Sequence, residues 1–266
     1  MSSFWSRILV AAVALPLVLG LVWLGGWWLF ALVAVAAVLA LHELFWMTRT
    51  LRPVVLAGYV GALACLLGAH LAGLDWAAGG FFLTLAVAFV FKGVGGTRQA
   101  TVISVSITVF GAAWVGFGLA HALLLREIPD HGRLAAFTVL LTVWASETAA
   151  YFAGLVFGRH KLAPTISPGK TWEGFVAGSA AAIFTAWISL YETGFVDGWR
   201  SLVLGGVIAL ASPLGDLFES ALKRDMNVKD AGRLLAGHGG MLDRLDALLF
   251  STVAAYYVIA AFGQAS

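Results

Sequence analysis

Charge is what this chain has least of. Only 11% of its 266 residues are Asp, Glu, Lys or Arg, against 61% hydrophobic, and the mean hydropathy is +0.93. Soluble domains carry about a quarter of their residues charged, so a water-soluble fold is excluded. Cysteine is nearly absent too. Cys65 stands alone inside an apolar run, which leaves no disulfide framework and no cysteine-based metal site, and it reads as a packing residue. No Pro/Gly/Ser-rich or charge-rich linker longer than a loop interrupts the chain, and no internal repeat is visible. Nothing here calls for a nucleic-acid partner.

What is present is a series of apolar runs of about 20 residues, each long enough to cross roughly 30 Å of hydrocarbon as a helix. They fall at 8–24, 27–47, 54–73, 76–91, 101–125, 134–157, 174–191, 200–222 and 245–263. The expected fold is all-α: a polytopic integral membrane protein of about nine transmembrane helices, with residues 1–266 forming one membrane-embedded domain. Within it, 1–133 supplies N-terminal helices, and 134–266 supplies catalytic helices and loops. The first run has Arg7 ahead of it like a signal peptide. It lacks an Ala-x-Ala exit and runs almost directly into a second span, so it reads as a retained helix.

Lysine and arginine loops stay on the cytoplasmic side. With nine spans, all of the 16 Lys and Arg except Arg126, Arg133 and Arg200 fall on the side of the N-terminus. The expected topology is N-terminus in, C-terminus out, with the polar loops 158–173 and 223–244 in the cytoplasm; in a bacterium this places the protein in the inner membrane.

Residues 220–246 gather roughly a third of the charged side chains. Asp243 and Asp246 share a face at the start of the last span, and Asp216 and Glu219 share one near the end of the span before it. Carboxylates packed together hold protons unless a cation lies between them. Hard oxygen donors without His/Cys spacing point to Mg²⁺ rather than zinc. The plainer alternative is an interfacial ion network with Lys223, Arg224 and Arg244. Gly237-His238-Gly239-Gly240 permits close backbone approach just before a helix start, where N–H groups seat phosphate oxygens, and Lys223, Arg224, Lys229 and Arg244 offer compensating charge. A tight interfacial turn with basic anchors has the same composition.

Ser167-Pro168-Gly169-Lys170-Thr171-Trp172-Glu173-Gly174 forms the second cluster. It is not a P-loop, because Pro164 stands where that pattern needs glycine and the segment follows a membrane helix instead of a strand. It reads as a basic, hydroxyl-bearing turn entering a helix. Ser167, Lys170 and Thr171 suit a phosphate, and Thr171 or Ser167 suits an N-cap. Glu147 lies about midway through an apolar run, where an ionisable side chain faces a cavity or a partner. His42 and Glu43 lie nearer a helix end and read as structural, as do His70 and His121. Gly154/Gly158 and Gly174/Gly178 have the spacing that brings helices close and allows a homodimer.

The stretch Ser220 to Asp246 resembles the signature of the phosphatidate cytidylyltransferases, the CDP-diacylglycerol synthases. Ser220, Leu222, Lys223-Arg224, Lys229-Asp230, Gly232, Leu235, His238-Gly239-Gly240, Asp243-Arg244 and Asp246 fall in that family's order and spacing. Gly215 to Ser220, Ser167 to Gly174, Ala150-Tyr151-Phe152 and Gly158-Arg159 extend the likeness over roughly residues 140–250, while the first half is similar only in being hydrophobic helices. Ala236 replaces a usual proline or glycine, and Glu147 stands where aspartate is more frequent.

The resemblance implies transfer of the cytidylyl group of CTP to phosphatidic acid at the surface of a lipid bilayer, giving CDP-diacylglycerol and pyrophosphate. It implies Mg²⁺ on Asp216 and Asp243 with Asp246 close by. It gives a catalytic set of Lys223, Arg224, Lys229, Asp230, His238, Arg244 and Asp246, with Ser167, Lys170, Thr171, Glu147, Gly239 and Gly240 binding substrate. Two other readings compete. A CDP-alcohol phosphotransferase needs Asp-Gly-x-x-Ala-Arg, whereas Asp197-Gly198 continues Trp-Arg-Ser. An ion-coupled secondary transporter predicts inverted repeats and mid-membrane charges, whereas most carboxylates here lie at one surface.

Overall fold

The computed structural model describes residues 3–94, 101–232 and 239–263. The apolar runs are helical with ends within a few residues of those read from hydropathy: α1 (Ser3–Leu24), α2 (Gly26–Met47), α3 (Val55–Ala72), α4 (Leu74–Val94), α5 (Thr101–Gly111), α6 (Gly118–Arg126), α7 (Gly132–Phe157), α8 (Trp172–Leu190), α9 (Gly198–Asp225) and α10 (Leu242–Ala261). A π-helical turn, Ala112–Phe117, joins α5 to α6 into one continuous rod. Among the described residues, eight helical segments are long and apolar enough to span a bilayer, and the apolar stretch Ala12–Leu24 of α1 adds a shorter one. The protein is an all-α polytopic membrane protein.

One departure from helix is not legible in the sequence. Residues 158–173, which read as a turn, contain an antiparallel hairpin of β1 (Lys161–Ala163) and β2 (Ser167–Thr171), the one sheet among the described residues. Its strands are too short to show an alternating pattern, and β2 carries Pro168 and Gly169.

The chain divides into two compact units, Met1–Glu127 with Val228–Leu245, and Ile128–Asn227 with Asp246–Ser266. In the first, α3 and α4 cross at glycines. A β-carbon on Gly80 would lie 2.4 Å from the backbone nitrogen of Cys65, and one on Gly68 would lie 2.4 Å from the carbonyl oxygen of Trp76. Cys65 is fully buried at this crossing, as a packing residue. Overpacking against backbone costs about 1–3 kcal/mol. Gly80→Ala is therefore expected to lower the melting temperature in detergent by on the order of 5 °C. An unchanged melting temperature would show that α3 and α4 do not approach this closely.

His121 and His70 of this unit are held by neighbouring groups. His121 is buried, with Nδ1 2.8 Å from the Phe117 carbonyl oxygen. His70 pairs with Glu127 and packs edge-on to Trp27, ring centroids 4.4 Å apart. Burial pushes the Glu127 carboxyl above its usual range, opposed by the hydrogen bond and charge of His70 and by Arg126. Arg126 itself closes the end of α1, donating from Nε to the Val22 carbonyl at 2.9 Å and from its terminal nitrogen to that of Trp23 at 2.9 Å.

In the second unit, α8 seats on α7 through the glycines whose spacing the sequence displays. A β-carbon on Gly174 would lie 2.6 Å from the Ala150 carbonyl oxygen, and one on Gly178 would lie 2.8 Å from that of Ser146. This small-residue seam works within one chain. Gly205 brings α9 against α8 in the same way, its missing β-carbon leaving room for Ile183 Cα at 2.6 Å. Gly215 brings α9 against the Asp246 carbonyl oxygen of α10, at 2.2 Å from where a β-carbon would stand.

Candidate active site

The hairpin is fastened at both ends of its length. At its base, Glu173 in the first turn of α8 accepts hydrogen bonds from the backbone N–H of Arg159 at 3.1 Å and lies 2.6 Å from His160 Nδ1. Thr171 Oγ1 accepts from the N–H of Gly174 at 3.1 Å, so Thr171 is the N-cap of α8. Toward its tip, Arg224 Nε donates to the Ile166 carbonyl at 3.2 Å. Between these fastenings Lys170 on β2 extends to α9, where its Nζ is 2.6 Å from Asp216 Oδ2.

Beside this arrangement lies a cavity of about 510 Å³ lined by α7, α8, α9 and the hairpin. Five of the candidate site residues line it: Glu147, Ser167, Lys170, Thr171 and Asp216. Its inner wall is made of small residues, among them Gly154, Gly174 and Gly178, so the glycines that let the helices approach also leave the hollow. Ala209 and Pro213 of α9 line it as well, and Pro213 has no N–H to offer the Ala209 carbonyl. The cavity thus carries an ammonium, hydroxyls, carboxylates and apolar walls, which suits an amphiphile with an anionic head.

The acidic cluster lies beside it. Ser220 Oγ donates to Asp216 Oδ1 at 3.3 Å, and Lys223 Nζ lies 2.9 Å from Glu219 Oε2, with the Glu219 side chain fully buried. Asp246, 7% exposed at the start of α10, is hydrogen-bonded with Glu219 and feels the charge of Asp216. Its Oδ1 accepts the N–H of Ala247 at 2.7 Å. Three carboxyl groups are therefore gathered with two lysines, which is part of the ion network the sequence allows.

Carboxyl oxygens in contact repel unless a proton or a cation lies between them. Among the described residues no group of three or more His, Cys, Asp or Glu side chains is placed to hold a metal ion. Mg²⁺ does not need such a group, since it binds through one or two carboxylates and fills its octahedron with water and substrate phosphate. Asp216, exposed enough to meet a nucleotide, and Asp246 fit that donor set.

The first unit holds the rest of the charged signature. Asp243 Oδ2 accepts the N–H of Gly240 at 2.8 Å and that of Ala231 at 3.3 Å. The N–H of Leu242, first residue of α10, donates to Glu43 Oε2 at 2.8 Å. Two of the donors at the helix start that the sequence offers to phosphate are thus engaged by protein carboxylates. Gly239 has φ +80°, a left-handed conformation that favours glycine. Lys229 and Asp230 are exposed and, with His42, Glu43 and Trp46, line a second cavity of about 690 Å³. Arg244 is exposed on the first turn of α10. His238 lies outside the described residues, as do Arg98, Arg233, Leu235, Ala236 and Gly237.

Glu43 is the residue that sequence reasoning misses. Beside His42 near a helix end it reads only as structural, and the sequence does not show that it is 2% exposed and accepts the N–H of Leu242. The one signal in the sequence is a carboxylate within a stretch otherwise apolar.

A bundle of membrane helices with a phosphate-suited cavity beside clustered carboxylates defines a class: membrane enzymes or carriers that handle anionic lipids or nucleotides. Residues 5–262 match the sequence model of the Cytidylyltransferase family, and the chain belongs to that family. Relatives named phosphatidate cytidylyltransferase come from distant bacteria. That of Mycobacterium bovis is 37% identical over 93% of this chain and 85% of its own length. That of Staphylococcus haemolyticus is 34% identical over 92% and 94%, and that of Brucella suis 32% identical over 99% and 96%.

Proposed function

We propose that the protein transfers the cytidylyl group of CTP to phosphatidic acid, giving CDP-diacylglycerol and pyrophosphate for phospholipid synthesis. The observation that carries this reading is the meeting of Lys170, Ser167, Asp216 and Glu147 in one cavity of a chain that matches the family from end to end.

The phosphate monoester of the lipid has a second pKa near 6, so it is largely dianionic at neutral pH and attacks without a strong protein base. One lipid phosphate oxygen forms a bond to the α-phosphorus of CTP. The bond from that phosphorus to the bridging oxygen of the β-phosphate breaks, and pyrophosphate departs with the electron pair. The protein's task is positioning and neutralisation of charge. Lys170, with Ser167 and Thr171 beside it, receives a phosphate at the cavity. Lys223 and Arg224 offset phosphate charge, and the stretch of sequence that carries Lys229, Asp230, His238, Gly239, Gly240 and Arg244 serves the nucleotide, as its resemblance to the family signature implies. Glu147 orients the lipid head from the α7 wall.

Asp216 and Asp246 would hold Mg²⁺, with Asp243 one helical turn before Asp246 on α10. Those carboxylates would hold the ion so that, when bound, it supplies positive charge against the phosphates. The acyl chains remain in the bilayer while the head group meets water-soluble CTP, which puts the reaction at the membrane surface. We place that surface on the cytoplasmic side of the inner membrane, from the side that the lysines and arginines occupy.

The test is direct. Purified protein in detergent, given Mg²⁺, phosphatidic acid and CTP labelled in the α-phosphate, is expected to move label into the lipid phase and release one pyrophosphate per lipid. Folded protein that yields no lipid-linked cytidine under these conditions refutes the proposal.

A further inference from the structure

We propose that Glu43 of α2 is a positioning residue for nucleotide binding, an anchor that holds residues 228–232 and 239–242 in place. The inference rests on the reading that these residues handle CTP.

These residues are clamped by two carboxylates. Asp243, local in sequence, ties Ala231 and Gly240 through their N–H groups at 3.3 and 2.8 Å. Glu43 comes from almost the other end of the chain and accepts the N–H of Leu242 at 2.8 Å. Its carboxylate also occupies the space beside two glycines. A β-carbon on Gly232 would lie 2.3 Å from Glu43 Oε1, and one on Gly240 would lie 2.4 Å from Glu43 Oε2. Gly232 and Gly240 are thus glycine for the same reason: at both positions the backbone comes close against one side chain.

Burying a carboxylate is costly unless its oxygens are met. Glu43 Oε2 has its donor, and the positive end of α10 favours the charge, but Oε1 has no hydrogen-bond partner among the described residues. A Leu or Met at position 43 would fill the same volume without that penalty. A carboxylate retained there is explained by what it holds. Lys229 and Asp230, exposed along the cavity that Glu43 also lines, are the groups whose placement depends on it.

The experiment compares Glu43→Ala, Glu43→Asp and Glu43→Gln with wild type. CTP binding is measured by equilibrium dialysis with Mg²⁺, and turnover with each substrate varied in turn. Gln keeps the volume and an acceptor oxygen, and is expected to stay within about threefold of wild type in CTP affinity. Ala removes the anchor and Asp shortens it by a methylene. Both are expected to weaken CTP binding, and to raise the KM for CTP, on the order of tenfold or more while the KM for phosphatidic acid moves less than about twofold. If Ala does not yield folded protein, Asp and Gln carry the comparison. CTP affinity within twofold of wild type in the folded Ala and Asp variants, or equal changes toward both substrates, would overturn the proposal. Wild-type protein that binds CTP but transfers no label would instead refute the assigned reaction and leave the dialysis result to decide the role of Glu43.

Discussion

Asp216→Asn is expected to reduce turnover about 100- to 1,000-fold while the protein still extracts folded from the membrane. Asparagine has nearly the shape of aspartate, so α9 keeps its packing, and the Ser220 hydroxyl at 3.3 Å keeps an oxygen to donate to. What disappears is the anion at 2.6 Å from Lys170 Nζ and beside Asp246, the charge that would hold Mg²⁺ and fix Lys170 at the cavity. The loss should fall on kcat and on the Mg²⁺ dependence of the rate, read as label transferred from CTP across a magnesium titration. Lys170 and Asp216 both reach solvent, at 20% and 37% side-chain exposure, so water screens the ammonium left behind and the melting temperature should change little. A variant within tenfold of wild type, with an unaltered magnesium curve, would remove Asp216 from the site.

Lys170→Ala should have the next largest effect, a fall in kcat/KM of about 100-fold. The side chain is 20% exposed, borne on β2 and directed to α9, so it touches both the hairpin and the wall that carries Asp216. The hairpin does not depend on it alone, because Glu173, Thr171 and Arg224 fasten the same segment through bonds that survive the substitution. Folded protein in normal amount with poor substrate use is therefore the expected result, and Lys170→Arg should restore part of the rate by returning the charge without the compact ammonium geometry. Loss of the protein from the membrane in both variants would make Lys170 a structural residue of the hairpin.

The pairing of Lys170 with Asp216 shows how far the sequence can be read. Both residues stand out because charge is rare in this chain, and rarity alone makes each one a candidate. Their union cannot be read, since it depends on the hairpin, and the hairpin is built of strands of 3 and 5 residues, the second with a proline and a glycine that read as a turn. The capping of α8 by Thr171 is legible, because an N-cap is set within four residues of chain. The engagement of the Leu242 N–H by Glu43 is not. Those residues are 199 positions apart, and no local pattern reports on the far side of a fold.

The apolar runs by themselves determined that this protein is a set of membrane helices and nearly where each begins and ends, because the bilayer requires every backbone donor and acceptor to be satisfied inside its own segment. The choice of glycine at Gly174 and Gly178 likewise announced a close helix contact, though not which helix would supply it. Tertiary structure alone decided which carboxylates meet lysines, which cap a distant helix, and which line a cavity. Those outcomes depend on distances between segments remote in the chain, and an ion pair or a buried hydrogen bond exists only where folding brings its two partners within about 3 Å.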